Sequence, residues 1–124
     1  MSAPVSGRLV VKCTWGQDAP ERCHQALTVA ATAVASGAEV SLWLTGEGAW
    51  LAVPGRAAQI VLAHAAPLED LLAGVVEGGE VVVCTQCAAR RDLTEDDLLP
   101  GVRIAGSARF VEQALAPGAT ALVY

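Results

Sequence analysis

The chain alternates between short, almost wholly apolar runs and longer stretches in which apolar residues return every three or four positions. The runs are RLVVKC (8–13), EVSLWL (39–44), EVVVC (80–84), VRIA (102–105) and TALVY (120–124). They are rich in β-branched residues and bounded by Gly, Pro and polar positions, which predicts five strands. Between the first two, Cys23, Ala26, Leu27, Ala30, Ala31 and Val34 recur at helical spacing. Asp18 and Glu21 predict a capping-box start there, with Pro20 in the first turn and Gly37 as the stop. TGEGAWLA (45–52) predicts a turn into a short helix, and residues 53–66 carry no clear period. Pro67 opens a helix with Glu69 and Asp70 in its first turn and Leu68, Leu71, Leu72, Val75 and Val76 on one side, ended by Gly78-Gly79. Ser107 predicts the cap of a last helix carrying Val111, Ala114 and Leu115, closed by Pro117-Gly118.

Nearly all-apolar strands alternating with helices imply a parallel sheet buried on both faces. The expected fold is a single α/β domain over residues 1–124, a three-layer α/β/α sandwich with a five-stranded parallel sheet. The strand order is not legible. If the first and third strands are neighbours, Cys13 lies about 5 Å from Cys84, and one intervening strand doubles that gap.

Composition sharpens this picture. A chain of 124 residues fits one domain, yet 53% of it is apolar and only 17% charged. That surplus predicts a homo-oligomer, the alternative being a core rich in alanine. A net charge of -5 with a single lysine, Lys12, argues against direct nucleic-acid binding. The N-terminal MSAPVSGR lacks a charged segment followed by an apolar one, and no apolar run approaches the roughly 18 residues of a membrane span. The expectation is a cytoplasmic protein without a membrane partner, in which four cysteines point to metal binding, catalysis or burial rather than a disulfide framework.

The chemistry gathers at Cys84-Thr85-Gln86-Cys87. Ligand sites of parallel sheets lie beyond the carboxyl ends of the strands, and Cys84 ends the third strand as Cys13 ends the first. If the following segment, Ala88 to Arg91, is helical from near Thr85, free amides face the Cys84 sulfur and favour its thiolate. Arg91, about 10 Å along the helix axis, reaches Cys87 more easily than Cys84; alternatively Arg90 and Arg91 form a solvated face. The pair has two further readings. As zinc ligands, Cys84 and Cys87 need two more donors from Cys13, Cys23, His24 and His64, although Cys23 sits on an apolar helix face and the histidines read as surface residues. As a redox dithiol, the pair has thioredoxin spacing without a preceding Trp or an intervening Gly-Pro. The catalytic candidates are Cys84 and Cys87. Thr14, Trp15, Gly16, Thr85 and Arg91 are candidate binding residues at the same edge, and no metal or other cofactor is expected. Trp50 either closes this pocket or packs at a subunit contact, whereas Trp43, inside a strand, reads as core.

Two stretches carry a resemblance. VCTQCAARRDLTEDDL followed by VRIAGSARFVEQALAPGATALVY is similar to the C-terminal half of the DsrE/DsrF/TusD family of small sulfur-trafficking proteins. TWGQDAPERCHQALTVAATAVASGAEVSLWLTGEGAWLA resembles that family's first half. The resemblance implies a five-stranded parallel α/β/α domain assembled as a trimer or hexamer. It also implies that Cys84 accepts sulfane sulfur from a donor protein's cysteine and relays it to an acceptor cysteine, a sulfurtransferase-like activity. Cys87 departs from the family pattern, which has a small apolar residue there. It can resolve a Cys84 persulfide into an internal disulfide, making the chain a redox-sensitive carrier or no carrier. An oligomeric binding protein without catalysis is the remaining alternative.

Overall fold

The structure is a computed structural model and describes residues 6–124. Residues 1–5, part of the stretch behind the expectation of no leader, lie outside the described residues. The strands are β1 (Arg8–Cys13), β2 (Glu39–Leu44), β3 (Glu80–Cys84), β4 (Arg103–Ala105) and β5 (Ala119–Val123), and the helices are α1 (Pro20–Ala35), α2 (Leu68–Gly78), α3 (Thr85–Arg90) and α4 (Ser107–Ala114). Short 3-10 turns occupy Gly46–Ala52, Ala57–Gln59 and Glu95–Asp97. All strand pairs are parallel, in the order β4-β3-β2-β1-β5.

That order dictates where the helices go. The chain steps in one direction from β1 through β2 and β3 to β4, then returns across the sheet to place β5 beside β1. Parallel crossovers are right-handed, so the reversal of direction puts α4 on the face opposite α1 and α2. The pleat divides the side chains accordingly. Val11, Leu42, Leu44, Val81 and Val83 pack with Leu27 of α1 and Leu72 and Val75 of α2 in the main core. Val10, Trp43 and Val82 point the other way, where they meet Phe110 of α4. The Trp43 and Phe110 rings meet edge to face at 5.5 Å, and the indole N–H donates to Gln113 Oε1 at 2.7 Å. Three layers are therefore present, but the second outer layer is a single eight-residue helix.

The structure corrects details at the helix starts. Asp18 does not cap α1: its carboxylate accepts the Gly16 N–H at 2.9 Å, and Ala19 takes the N-cap position without a side-chain hydrogen bond. Ser107 is the first helical residue of α4 rather than its cap, and Pro67 precedes α2 instead of opening it. Among the described residues no helix is long and apolar enough to cross a membrane.

Candidate functional site

Along β3, Val81 and Val83 enter the main core and Val82 faces α4. The same alternation brings Cys84 to the α4 side at the carboxyl edge, where it is half-buried and still touches the main core. Its backbone stays extended (φ -62°, ψ 132°), while Thr85 begins the six residues of α3. The chain thus turns from strand to helix at the cysteine itself. The amides of Gln86 and Cys87, too early in the helix to have an intrahelical partner, face the sulfur, although no hydrogen bond of ordinary capping geometry closes. Burial raises the Cys84 pKa, but the amides of Cys87 and Gln86, the Cys87 thiol and the charge of Lys12 together outweigh it. The result is a thiol held below its ordinary value, and partly exposed.

Cys87 lies one turn away and inside, 8% exposed. Its sulfur accepts the Gly46 N–H at 3.1 Å, and its thiol favours the Cys84 thiolate. Gly46 holds a left-handed backbone (φ 54°), in which an added Cβ would come within 3.0 Å of Thr14 O. Thr85 is exposed and faces Gly106. Arg91 turns to Glu47: its Nη2 and Nε meet Glu47 Oε2 at 2.8 and 3.2 Å, and its Nη1 donates to the Cys87 carbonyl at 3.0 Å. Trp50 donates to the same carboxylate oxygen at 3.2 Å and stacks under Arg56. Arg91 therefore fixes the end of α3 against the 46–52 turn.

Strand order separates the remaining candidates. β2 lies between β1 and β3, so the loop after β1 starts about 10 Å from Cys84. Thr14 turns away, donating its N–H and Oγ1 to Tyr124 O at 3.0 and 2.7 Å. Trp15 packs against the main core, with the Arg22 guanidinium 4.9 Å from its ring. Gly16 abuts the Glu47 backbone so closely that a Cβ would lie 2.5 Å from Glu47 O. The structure thus gathers Cys84, Cys87 and Thr85, ties Arg91 to them through the Cys87 carbonyl, and leaves Thr14, Trp15 and Gly16 beyond β2.

Lys12 is the residue that sequence reasoning missed. It lies on the α4 side of β1, with its ammonium 4.7 Å from the Phe110 ring, and its charge favours the Cys84 thiolate. The only signal was a single lysine one residue short of a strand end. Cys13 and Cys23 are fully buried and interact with each other. The Cys13 thiol donates to Trp15 O at 3.1 Å; the neighbouring Cys23 thiol lowers the Cys13 pKa, and Cys13 together with burial raises that of Cys23. Among the described residues no three His, Cys, Asp or Glu side chains come together as a metal site requires. His24 binds Ala66 O at 2.8 Å and Thr28 Oγ1 at 3.0 Å, and His64 is exposed.

Comparison with known proteins gives a consistent picture. The profile of the DsrE/DsrF-like family matches residues 8–123. The uncharacterized protein MK0008 of Methanopyrus kandleri is 32% identical over 97 residues, covering 78% of this chain and 75% of its own length. The uncharacterized protein MJ0989 of Methanocaldococcus jannaschii is 35% identical over 86 residues, 68% of this chain and 72% of that one. Among solved structures, MTH1491 of Methanobacterium thermoautotrophicum, a protein of unknown function, superposes with a TM-score of 0.71 at 12% identity, over 95% of this chain and 99% of its own. The ychN protein of E. coli does so with a TM-score of 0.67 at 13% identity, over 97% and 100%. These two share the five-stranded parallel α/β fold. With a profile match from the first strand to the last, and two relatives above 30% identity over most of its length, the chain belongs to the DsrE/DsrF-like family.

Proposed function

We propose that this protein is a sulfane-sulfur carrier in which Cys84 is the loaded residue. Membership of the DsrE/DsrF-like family points to a sulfur-relay type of function at the level of the family. The observation that supports Cys84 as the carrier is its combination of access and activation: a half-buried sulfur at the end of β3, with two free amides turned toward it and a pKa below the ordinary thiol value. Cys13 and Cys23 are fully buried, and Cys87 nearly so.

Loading runs by attack of the Cys84 thiolate on the outer sulfur of a donor protein's cysteine persulfide. The new bond joins Cys84 Sγ to that sulfur, and the donor leaves as its thiolate. Delivery is the reverse at an acceptor cysteine, whose thiolate takes the outer sulfur and returns Cys84 to the thiolate. The amides of Gln86 and Cys87 and the Lys12 ammonium suit each anionic state without a metal ion.

The carrier works as a homo-oligomer, a trimer or hexamer. Val111 on α4 and Leu115 at its C-cap are 49% and 79% exposed, and Val123 on the edge strand β5 is 64% exposed. An edge strand beside an apolar helix face is costly to leave in water, and a second copy of the chain covers both. Light scattering showing a stable monomer at micromolar concentration would remove this part.

Intact mass measurement after exposure to a persulfide donor tests the carrier. We expect one added sulfur atom per chain in a variant that keeps Cys84 and lacks Cys87, and none when Cys84 is replaced by Ser. Loading that survives loss of Cys84 would overturn the proposal.

A further inference from the structure

We infer that the two cysteines also carry a second activity, reduction of the loaded sulfur to free sulfide: Cys87 attacks the inner sulfur of a Cys84 persulfide and expels the outer one. This rests on the loading of Cys84 proposed above and concerns the fate of the sulfur afterwards.

Three observations meet here. The first is spacing. Cys87 is the third residue of α3 and Cys84 the residue before it, and three residues along a helical turn separate Cα atoms by about 5 Å. Disulfides need roughly 4.4–6.8 Å between Cα atoms, so this spacing is compatible with the bond. The second is shared packing, since Cys84 lies against the core cluster that contains Cys87, and the Cys87 thiol is among the groups that favour the Cys84 thiolate. The third is anchoring. The Gly46 N–H holds the Cys87 sulfur at 3.1 Å, and the Cys87 carbonyl is clamped by Arg91, itself paired with Glu47. The inner wall of the site is therefore a positioned thiol.

Burial assigns each attacker its sulfur. Cys87 is nearly enclosed on the core side of the half-open Cys84. In a persulfide that side is occupied by the inner sulfur, and the outer sulfur takes the open side. An acceptor arriving from solvent meets the outer sulfur and receives it. Cys87 meets the inner sulfur. Relay and release are thus two exits from one intermediate, and the exit depends on whether an acceptor arrives first.

The release step balances. A bond forms between Cys84 Sγ and Cys87 Sγ, and the bond from Cys84 Sγ to the outer sulfur breaks. The outer sulfur leaves with the electron pair and takes the Cys87 thiol proton, as hydrosulfide. It has gained two electrons, one from each cysteine sulfur. A dithiol reductant, small or protein-borne, then reopens the Cys84–Cys87 disulfide by thiol exchange and is itself oxidised to a disulfide.

The test uses the whole chain, reduced and desalted, with glutathione persulfide as probe and no other reductant. For the native chain we expect one sulfide released per chain above a protein-free blank, and a Cys84–Cys87 disulfide in the peptide map. Dithiothreitol should restore both thiols and allow a second round. Cys87→Ser should instead retain the extra sulfur on Cys84 and release none above the blank. A native chain that keeps its persulfide and yields no sulfide overturns the inference while leaving the carrier intact. Equal release by Cys87→Ser, or a disulfide from Cys84 to Cys13 or Cys23, overturns it as well. If neither chain takes up sulfur, the carrier reading falls and this inference with it.

Discussion

Two pairs of cysteines stand at the same edge of the sheet, and they differ in how far they are open to solvent. Cys13 ends β1 and meets Cys23 of α1, with both sulfurs fully enclosed in the main core. Cys84 ends β3 and meets Cys87 of α3, with one sulfur enclosed and the other half-open. In each pair one thiol is drawn below its ordinary pKa: Cys13 mainly by the Cys23 thiol, and Cys84 by main-chain amides working against burial. A lowered pKa therefore does not by itself mark the reactive sulfur. Access separates the pairs, and access follows from the direction of the pleat. Cys13 continues the line of Val11 into the core, whereas Cys84 continues that of Val82 toward the thinly covered face.

The largest effect that tests this contrast comes from removing the open sulfur. Cys84→Ser should abolish the fast phase of iodoacetamide labelling at neutral pH, leaving Cys87, Cys13 and Cys23 to react many-fold more slowly. Peptide mapping of the labelled native chain should place the first adduct on Cys84, and a first adduct on Cys13 would reverse the assignment.

The converse experiment opens the closed pair. Gly48 packs so tightly beneath the loop after β1 that a Cβ would lie 2.7 Å from Cys13 O and 3.2 Å from Trp15 O. Gly48→Ala must displace that backbone, and forced overpacking costs roughly 1–3 kcal/mol, read as a lower midpoint in urea. Labelling of Cys13 should rise in the same variant, because its cover has moved. Cys23→Ala is milder. It leaves a small cavity worth about 1 kcal/mol and should leave Cys84 labelling unchanged.

The smallest effect concerns charge. The Cys84 labelling rate should climb with pH as the thiolate forms, with its midpoint below the ordinary thiol value of 9.0. Lys12 is the weakest of the groups lowering that midpoint, so Lys12→Met should shift it upward slightly. An unchanged midpoint would remove Lys12 from the site. Linkage gives the sign for stability: a thiol whose pKa is lowered by folding contributes above its unfolded value, and that contribution is lost as pH falls through the folded one.

Much of this arrangement was legible in the chain. The first three strands match their expected bounds because each is a compact apolar run between polar or glycine boundaries. The placement of Cys84 at a strand-to-helix junction followed from the same pattern. Strand order was not legible, because whether β2 separates β1 from β3, and which edge receives β5, are set by tertiary packing that no single strand records. The position of the 14–16 loop relative to Cys84 was hidden with it. Asp18 shows a different limit: an Asp three residues before Glu is a capping signal, but the amide of Gly16 competed for the carboxylate and won. The role of Glu47 was equally invisible, since its partner Arg91 lies 44 residues away in sequence.

The parity of β3 has a consequence for how this chain tolerates insertions and deletions. From Glu80 to Cys84 the strand has only five residues, and every second one changes face. Losing or gaining a single residue within it would carry the cysteine to the side held by Val83. There it would lie under α2, as enclosed as Cys13, and its partner in α3 would turn with it. The exposure of the Cys84 thiol is thus tied to a count as strictly as to a residue type. A change of length that leaves every named side chain in place would silence the site, whereas many substitutions elsewhere in the strand would not.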